Sequence, residues 1–175
     1  MKFTTPIVQT RYASPLGAII IAATDKGLAG LWFDGQKHLP PELSAPTPGT
    51  WPSAPEHPVL QEVIRQLGDY FAGRRTEFAV PLDLAYGTAF QQSVWQALLK
   101  IPPGGTASYG ELSARIGKPA AVRAVGAAVG RNPVSIIVPC HRVMGAGGAL
   151  TGYAGGLERK SALLRLEGVD LEGAR

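Results

Sequence analysis

The segment Ser108–Gly130, SYGELSARIGKPAAVRAVGAAVG, decides the C-terminal half of the fold. Its first four residues fit a capping box, the pattern that marks the start of a helix. Gly117 is placed to end that helix, and Pro119 sits where the first residue of a second helix, over residues 120–130, is expected. Two short helices that meet across a Gly-Lys-Pro turn predict a helix-turn-helix.

The second predicted helix is poor in large side chains. Val122, Val125 and Val129 are spaced to bury one face, and the rest of the helix carries only Ala, Gly and Arg123. A helix that reads base edges in the major groove normally presents several polar side chains, whereas this one offers a single arginine. The composition fits either a tightly packed core helix or a helix pressed into a narrow groove, with Arg123 acting as a wedge.

Upstream residues predict a small antiparallel sheet covered by a helix. Three strand-like runs, over residues 7–13, 18–24 and 28–33, are separated by turn residues typical of hairpins. Residues 59–72 then carry apolar side chains at helical spacing and end at Gly73, where a C-terminal glycine belongs. We expect this helix to cover the sheet.

The remaining N-terminal residues are read as irregular or edge structure. Residues 35–58 contain seven of the fifteen prolines, which favours an irregular excursion. Residues 77–84 predict a further strand, restricted to a sheet edge by Pro81. From Gly87 onward the pattern changes to helices joined by Gly/Pro turns, beginning with a second capping box at Thr88-Ala-Phe-Gln91.

The predicted fold class is therefore α+β, in two domains. Residues 1–86 form an N-terminal domain with a small antiparallel sheet and a covering helix, and residues 87–175 form a mostly helical domain with the helix-turn-helix. The net charge of +4 is concentrated in residues 87–157, where six basic residues face one acidic residue. A regional basic excess favours a polyanionic partner, because neutralising phosphates releases counterions.

Other compositional features exclude several classes of protein. The single cysteine cannot form an intramolecular disulfide or a thiolate zinc site. The longest apolar run, residues 16–23, is too short to cross a membrane, and the first residues lack the apolar core of a signal peptide. We expect a cytoplasmic protein with no membrane association. The glycine-rich stretch 145–156 fits no nucleotide-binding pattern, so no cofactor is expected.

The residues around the single cysteine make it a candidate nucleophile. Cys140 follows a strand-like stretch and Pro139, and it is followed at once by His141 and Arg142. A lone cysteine is often an inert buried residue, but a neighbouring imidazole or cation favours the reactive thiolate. Adjacent residues do not share a helix face, so a bridging water between Cys140 and His141 is expected. A carboxylate would orient His141, and Glu111, Glu158 and Glu167 are all candidates.

Taken together, four motifs resemble the O6-alkylguanine-DNA alkyltransferases, also called methylated-DNA–protein-cysteine methyltransferases. The resemblance covers about residues 87–170, whereas the preceding part is similar only in architecture. The motifs are Asn132-Pro133, Pro139-Cys-His-Arg-Val143, Tyr153-Ala-Gly-Gly156 and Glu167-Gly168.

The resemblance implies direct repair of DNA. An alkylated guanine, with O4-alkylthymine as a second candidate, is flipped out of the duplex, and its alkyl group is transferred irreversibly to Cys140, once per molecule. His141 would be the base that acts through a water, and Glu167 would orient it. Asn132 would support the active-site turn, and the Tyr109 hydroxyl would contact the guanine as a general acid.

The same resemblance implies contacts to DNA and to the base. Arg123 would be the finger that fills the gap left by the flipped base. Further DNA contacts are expected from Tyr109, Ala121, Ala124, Gly126, Ala127 and Arg142. The guanine pocket would include Val129, Val143, Tyr153 and Ala154. The implied partner is double-stranded DNA that contains alkylated guanine, and the protein is expected to act as a monomer. No organic cofactor is implied. No metal is implied either, since the zinc ligands of some relatives cannot be repeated with one cysteine.

Three other functions compete with alkyl transfer. A related lesion-binding protein would flag damage without transfer, but such proteins lack the reactive cysteine. A helix-turn-helix regulator with a redox-sensing Cys140 would need polar side chains on the helix 120–130. A cysteine hydrolase that uses Cys140 and His141 would turn over many times and ignore DNA.

Overall fold

The computed structural model describes residues 6–44 and 51–171. The chain divides into two compact units, Met1–Tyr86 and Gly87–Arg175. No helix in the described part of the chain is both long enough and apolar enough to span a bilayer.

A three-stranded antiparallel sheet forms the centre of the first unit. Strands β1 (Val8–Ser14), β2 (Gly17–Thr24) and β3 (Gly27–Phe33) lie in the order β1-β2-β3, so that β2 is central. All of β3, and β2 from Ile19 onward, is buried. The antiparallel pairing of the three strands confirms the predicted hairpins. These runs form strands because β-branched and aromatic residues fit a pleated surface that is covered by other elements.

The predicted covering helix is also confirmed. After the short helix α1 (Pro41–Ser44), helix α2 (Pro58–Phe71) packs against all three strands. Gly73 follows its C-cap with a φ of +76°, a conformation that glycine adopts without steric cost. The residues that α2 buries are Leu60, Val63, Gln66, Leu67 and Tyr70.

Two expectations for this unit need correction. Residues 45–50 of the predicted irregular excursion lie outside the described residues, but residues 51–54 are bonded to β1 through Gln9, which donates to the Pro52 carbonyl at 3.0 Å. The predicted edge strand over 77–84 is reduced to one bridge, between Leu28 and Leu82. A longer ladder is prevented because Pro81 has no N–H, and because the Gln66 side chain takes both backbone groups of Ala79.

Helices dominate the second unit, which contains the predicted helix-turn-helix. Helices α3, α4 and α5 pack on one another, and the capping boxes that open α3 and α4 are both formed as predicted. The elements of this unit are α3 (Ala89–Leu98), β4 (Ala107–Ser108), α4 (Tyr109–Arg115), α5 (Val122–Gly130), β5 (Val143–Met144) and α6 (Leu157–Leu166).

Helix α5 begins two residues later than predicted. Pro119 lies in the preceding turn and not in the first helical position, since Ala121 is the N-cap. The expectation that Val122 is buried is wrong, because this side chain is 40% exposed. At 100° per residue Val122 falls on the margin of the buried face, which is formed by Val125, Ala128 and Val129. The Trp95 indole fixes this face to α3 by donating to the Ala128 carbonyl at 2.9 Å.

Candidate active site

A tight turn leads from α5 to the cysteine. Its residues 135–138 were expected to be strand-like, but the Asn132 side chain folds the chain back. Asn132 Nδ2 donates to the Val138 carbonyl at 2.7 Å, and its Oδ1 accepts from the Val134 N–H at 3.0 Å. Ile136 has a φ of +71°, which is costly for a β-branched residue, so this turn is held in a strained conformation.

A single 3-10 turn, Cys140–Arg142, presents the candidate nucleophile directly after this clamp. Strand β5 follows and pairs in parallel with β4, with Ala107 opposite Val143. Since β4 runs directly into Tyr109, at the start of α4, this pairing anchors the helix-turn-helix to the cysteine turn. The sequence analysis missed this pair of two-residue strands.

His141 and Glu167 form a buried pair. His141 Nε2 lies 2.8 Å from Glu167 Oε2, and both side chains are fully buried. An ionised carboxylate only accepts hydrogen bonds, so Nε2 carries the proton of the neutral imidazole and Nδ1 keeps its lone pair. The Nδ1 atom has no hydrogen-bond partner among the described residues. Of the three candidate carboxylates, Glu167 is therefore the one at His141, whereas Glu111 lies on the surface near Arg115.

Burial has the largest effect on the pKa values of both Cys140 and His141. Burial lowers the pKa of His141, although Glu167 opposes the shift, so the imidazole is neutral and able to accept a proton. Burial also raises the pKa of the Cys140 thiol, which outweighs the opposite effects of the Asn132 side chain and of Lys160. The cation Lys160 does favour the thiolate, as expected of a cationic neighbour, but burial outweighs it, so the resting thiol is protonated and Cys140 needs a base when it reacts.

Arg142 does not lie where a DNA contact was expected. Its side chain is 6% exposed, and its guanidinium makes two hydrogen bonds to Glu167 and one to the Ile101 carbonyl. A bidentate pair with a buried carboxylate uses the charge inside the protein. The DNA-contact role predicted for Arg142 is therefore corrected, and its place is beside the His141–Glu167 pair.

Lys160 is a buried cation that the sequence analysis missed. Its Nζ donates to the carbonyls of Val143, at 2.6 Å, and of Gly152, at 3.1 Å, and also to the Thr151 carbonyl. Burial lowers its pKa from 10.5 to about 8, while Cys140 acts in the opposite direction. The sequence carries a signal for this burial, because Lys160 and Glu167 are spaced with Leu163 and Leu164 so that all four fall on one face of α6. Leu166, in the last turn of the same helix, is 38% exposed.

Tyr109 faces the same region from α4. A Cβ built on Gly126 of α5 would touch the Tyr109 ring at 3.8 Å, and one built on Gly152 would lie 3.8 Å from its hydroxyl. Burial raises the pKa of Tyr109, the Thr151 side chain lowers it, and Cys140 raises it further. The hydroxyl is therefore protonated at neutral pH and able to donate.

The expected pocket residues lie on the segments that surround the cysteine. Val143 and Val129 are buried, and Tyr153 and Ala154 are half-buried in the glycine-rich stretch. The pKa of Tyr153 is raised well above its usual value by burial, with a further contribution from Cys140, while the Ser135 side chain acts in the opposite direction. Cys140 acts electrostatically on Tyr109, Tyr153 and Lys160, so the structure brings these groups together around the thiol.

A second set of predicted residues lies on α5 and at its N-cap, and one of them, Gly126, is also near the Tyr109 ring. Arg123, Ala124 and Ala127 are exposed, and Ala121 and Gly126 are half-buried. The exposed side chains, on the outer face of α5, are small, apart from the long side chain of Arg123. Over residues 6–44 and 51–171, no group of three or more His, Cys, Asp or Glu residues is arranged to hold a metal ion.

Comparisons with known proteins agree with this geometry. The DNA binding domain of 6-O-methylguanine DNA methyltransferase matches residues 89–169, and the ribonuclease-like domain of the same family matches residues 7–84. The chain is 51% identical over 154 residues to a methylated-DNA–protein-cysteine methyltransferase of Mycobacterium leprae, which covers 88% of each protein. It is 48% identical over 158 residues to a protein of that name from Methanosarcina acetivorans, covering 90% of this chain and 96% of the relative.

A solved structure gives the same assignment. The crystal structure of Mycobacterium tuberculosis OGT in complex with DNA superposes with a TM-score of 0.81 at 48% identity, over 91% of this chain and 92% of that chain. Both halves of the sequence are thus matched, and the relatives are similar over most of their own length. The chain belongs to the 6-O-methylguanine DNA methyltransferase family.

Proposed function

We propose that this protein repairs DNA by transferring the alkyl group of O6-alkylguanine to its own Cys140, irreversibly and once per molecule. The observation that carries the proposal is the buried thiol on the Cys140–Arg142 turn, next to a neutral His141 that is held by Glu167. The relatives named methylated-DNA–protein-cysteine methyltransferase and the OGT complex with DNA support the same activity.

In the first half of the reaction, Cys140 is activated at the moment of transfer. His141 Nδ1 accepts the thiol proton through a bridging water, and Glu167 stabilises the imidazolium that forms. The resting thiol is protonated because burial raises its pKa, so it does not react with oxidants or other electrophiles as an exposed thiolate would. The relay supplies a thiolate inside a site from which bulk water is excluded.

In the second half, the thiolate displaces guanine from the alkyl carbon. The S–C bond forms as the O6–C bond breaks, and the electron pair of that bond stays on the guanine. The Tyr109 hydroxyl, which is protonated at neutral pH, donates to the base as this negative charge develops. The proton lost by the thiol is finally carried by the guanine. A thioether is a poor leaving group, so Cys140 is not regenerated.

DNA is bound by the helix-turn-helix, and the protein acts as a monomer. The outer face of α5 fits the minor groove because its exposed residues are small, and Arg123 fills the space of the flipped base. Alkylation at O6 weakens pairing with cytosine, which lowers the cost of extruding the damaged base. A cytoplasmic setting fits this function, because a reducing compartment keeps Cys140 as a free thiol.

The competing functions are less well supported. A redox-sensing cysteine is expected to be accessible and to have a low pKa, whereas Cys140 is buried and its pKa is raised. A regulator that reads the major groove would need polar side chains on α5, and Arg123 is its one long polar side chain.

The test is incubation with a duplex that contains O6-methylguanine, followed by mass measurement of the peptide that contains Cys140. We expect one methyl group on Cys140, and no methyl group in the matched Cys140→Ser variant. Tight binding of the damaged duplex with an unmodified Cys140 would instead identify a lesion-binding protein. Repeated turnover of an ester or amide without any effect on DNA would identify a hydrolase.

A further inference from the structure

Arg142 shares the Glu167 carboxylate with His141. The guanidinium donates from Nε to Glu167 Oε1 at 2.8 Å and from Nη2 to Oε2 at 3.1 Å. Oε2 is also the atom that accepts from His141 Nε2 at 2.8 Å. The third donor, Nη1, bonds to the Ile101 carbonyl at 2.6 Å, just beyond the end of α3. One buried carboxylate therefore serves both a fixed cation and the proposed base.

We propose that Arg142 is a positioning residue of the transfer reaction: it fixes the plane of the Glu167 carboxylate and limits how firmly His141 retains a proton. This inference rests on the proposed function, because it assigns Arg142 to the relay that activates Cys140.

The positioning role follows from the geometry of the guanidinium. Glu167 is the C-cap of α6, which fixes its backbone, but its terminal carboxylate would otherwise rotate about a soft torsion. The planar fork of Arg142 holds both oxygens, and the bond to Ile101 in turn holds the fork. A lysine could supply the charge at this place but not two parallel hydrogen bonds.

The electrostatic role follows from the charges around His141. Glu167 favours the imidazolium, whereas Arg142 and Lys160 oppose it, and burial is the largest cause that lowers the His141 pKa. The other titratable groups at the site are the Cys140 thiol and two tyrosines on which it acts electrostatically, Tyr109 and Tyr153. With Arg142 in place His141 takes a proton only transiently. Without Arg142, the carboxylate would be opposed by Lys160 alone among the nearby cations, so His141 would hold its proton at a higher pH and be blocked as a base.

The experiment separates geometry from charge with two variants. Arg142→Lys keeps the cation and loses the fork, whereas Arg142→Gln removes the charge. Arg165→Gln is the matched control, because Arg165 is exposed in the last turn of α6, two residues before Glu167. The substrate is O6-benzylguanine as the free base, which removes DNA binding from the measurement. The rate of benzyl transfer is measured across pH, per active molecule, beside the thermal unfolding midpoint.

We expect Arg142→Lys to react about tenfold more slowly or worse, with the midpoint of the acid side of its pH profile unmoved. Arg142→Gln is expected to be slower as well, and its acid-side midpoint should move upward by about one pH unit or more. Arg165→Gln should match the unmodified chain in both respects. Should the glutamine variant not fold, Arg142→Met, which also removes the charge, takes its place in the same two measurements.

The outcomes also separate this inference from the proposed function. If both Arg142 variants keep the parent rate per active molecule and the parent midpoint, Arg142 is only structural, whatever its effect on thermal unfolding. If the unmodified chain accepts no alkyl group from either O6-benzylguanine or damaged DNA, the proposed function fails and the role of Arg142 in it fails with it.

Discussion

Lys160 provides a direct test of the electrostatics of the site, through the variant Lys160→Met. The ammonium is fully buried, and within residues 6–44 and 51–171 it donates to the backbone carbonyls of Val143, Thr151 and Gly152. Burial is the largest cause that lowers its pKa from 10.5 to about 8. Methionine is a flexible apolar side chain of similar length that does not titrate.

The expected pH dependence follows from proton linkage. The folded protein releases the Lys160 proton near pH 8 and the unfolded chain releases it near pH 10.5, so between these values the unfolded chain binds more protons. Stability contributed by Lys160 therefore rises with pH across this window. At about 1.36 kcal/mol per pH unit, the free energy of unfolding of the parent should gain about 3 kcal/mol on that of Lys160→Met between pH 8 and pH 10.5.

The assay is urea unfolding followed by far-ultraviolet circular dichroism at several values of pH. Both proteins carry Cys140→Ser, so that the thiol does not titrate beside Lys160. Lys100→Met, which alters an exposed lysine of the same unit, is the matched control and should follow the parent at every pH. If the difference in unfolding free energy between the parent and Lys160→Met stays constant from pH 8 to pH 10.5, the claim that burial lowers the pKa of Lys160 is refuted.

Three further predictions concern α5 and the active-site turn. Arg123→Ala should slow repair of duplex DNA by tenfold or more, because the variant loses stabilisation of the extruded base, whose extrusion costs a few kcal/mol, and it should leave the rate with free O6-benzylguanine unchanged. An equal loss of rate in both assays would contradict the finger role. Asn132→Ala leaves the Val134 N–H without its partner and removes one of the two donors to the Val138 carbonyl, which keeps the Cys140 N–H, so urea unfolding should show a loss of about 1–3 kcal/mol, and an unchanged free energy of unfolding would mean that the clamp is dispensable. Trp95→Phe removes the bond to the buried Ala128 carbonyl and should cost about 1–3 kcal/mol by thermal unfolding; no loss would show that packing alone holds α5 to α3.

Local sequence patterns predicted much of the fold because their causes are local. The capping boxes at Thr88 and Ser108 satisfy backbone donors within a few residues of themselves, so both helix starts could be located from the sequence. The hairpins of β1, β2 and β3 likewise follow from alternating residues and short turns. The edge strand at 77–84 failed because the Gln66 side chain, distant in sequence, competes for its backbone groups.

The buried charges could not be predicted in the same way. The family resemblance implied a DNA contact for Arg142, but the residues that Arg142 binds, Ile101 and Glu167, are far away in the sequence. Lys160 was overlooked because a lysine is usually exposed, although its position on the apolar stripe of α6 was visible. Residues 135–138 resemble a strand by composition, but the bonds of the Asn132 side chain, together with backbone hydrogen bonds within the segment, fold them into a turn. The partners of Arg142 and of the Lys160–Val143 bond are distant in the sequence, whereas the partners of Asn132 lie within six residues of it.

The most direct measurement of the central claim is an active-site titration with an excess of duplex DNA that contains O6-methylguanine. Direct transfer predicts that repair stops when one methyl group has been taken up per protein molecule, that all of it is on Cys140, and that unmodified guanine is left in the DNA. Continued repair beyond one equivalent, or loss of the lesion with an unmodified Cys140, would contradict it.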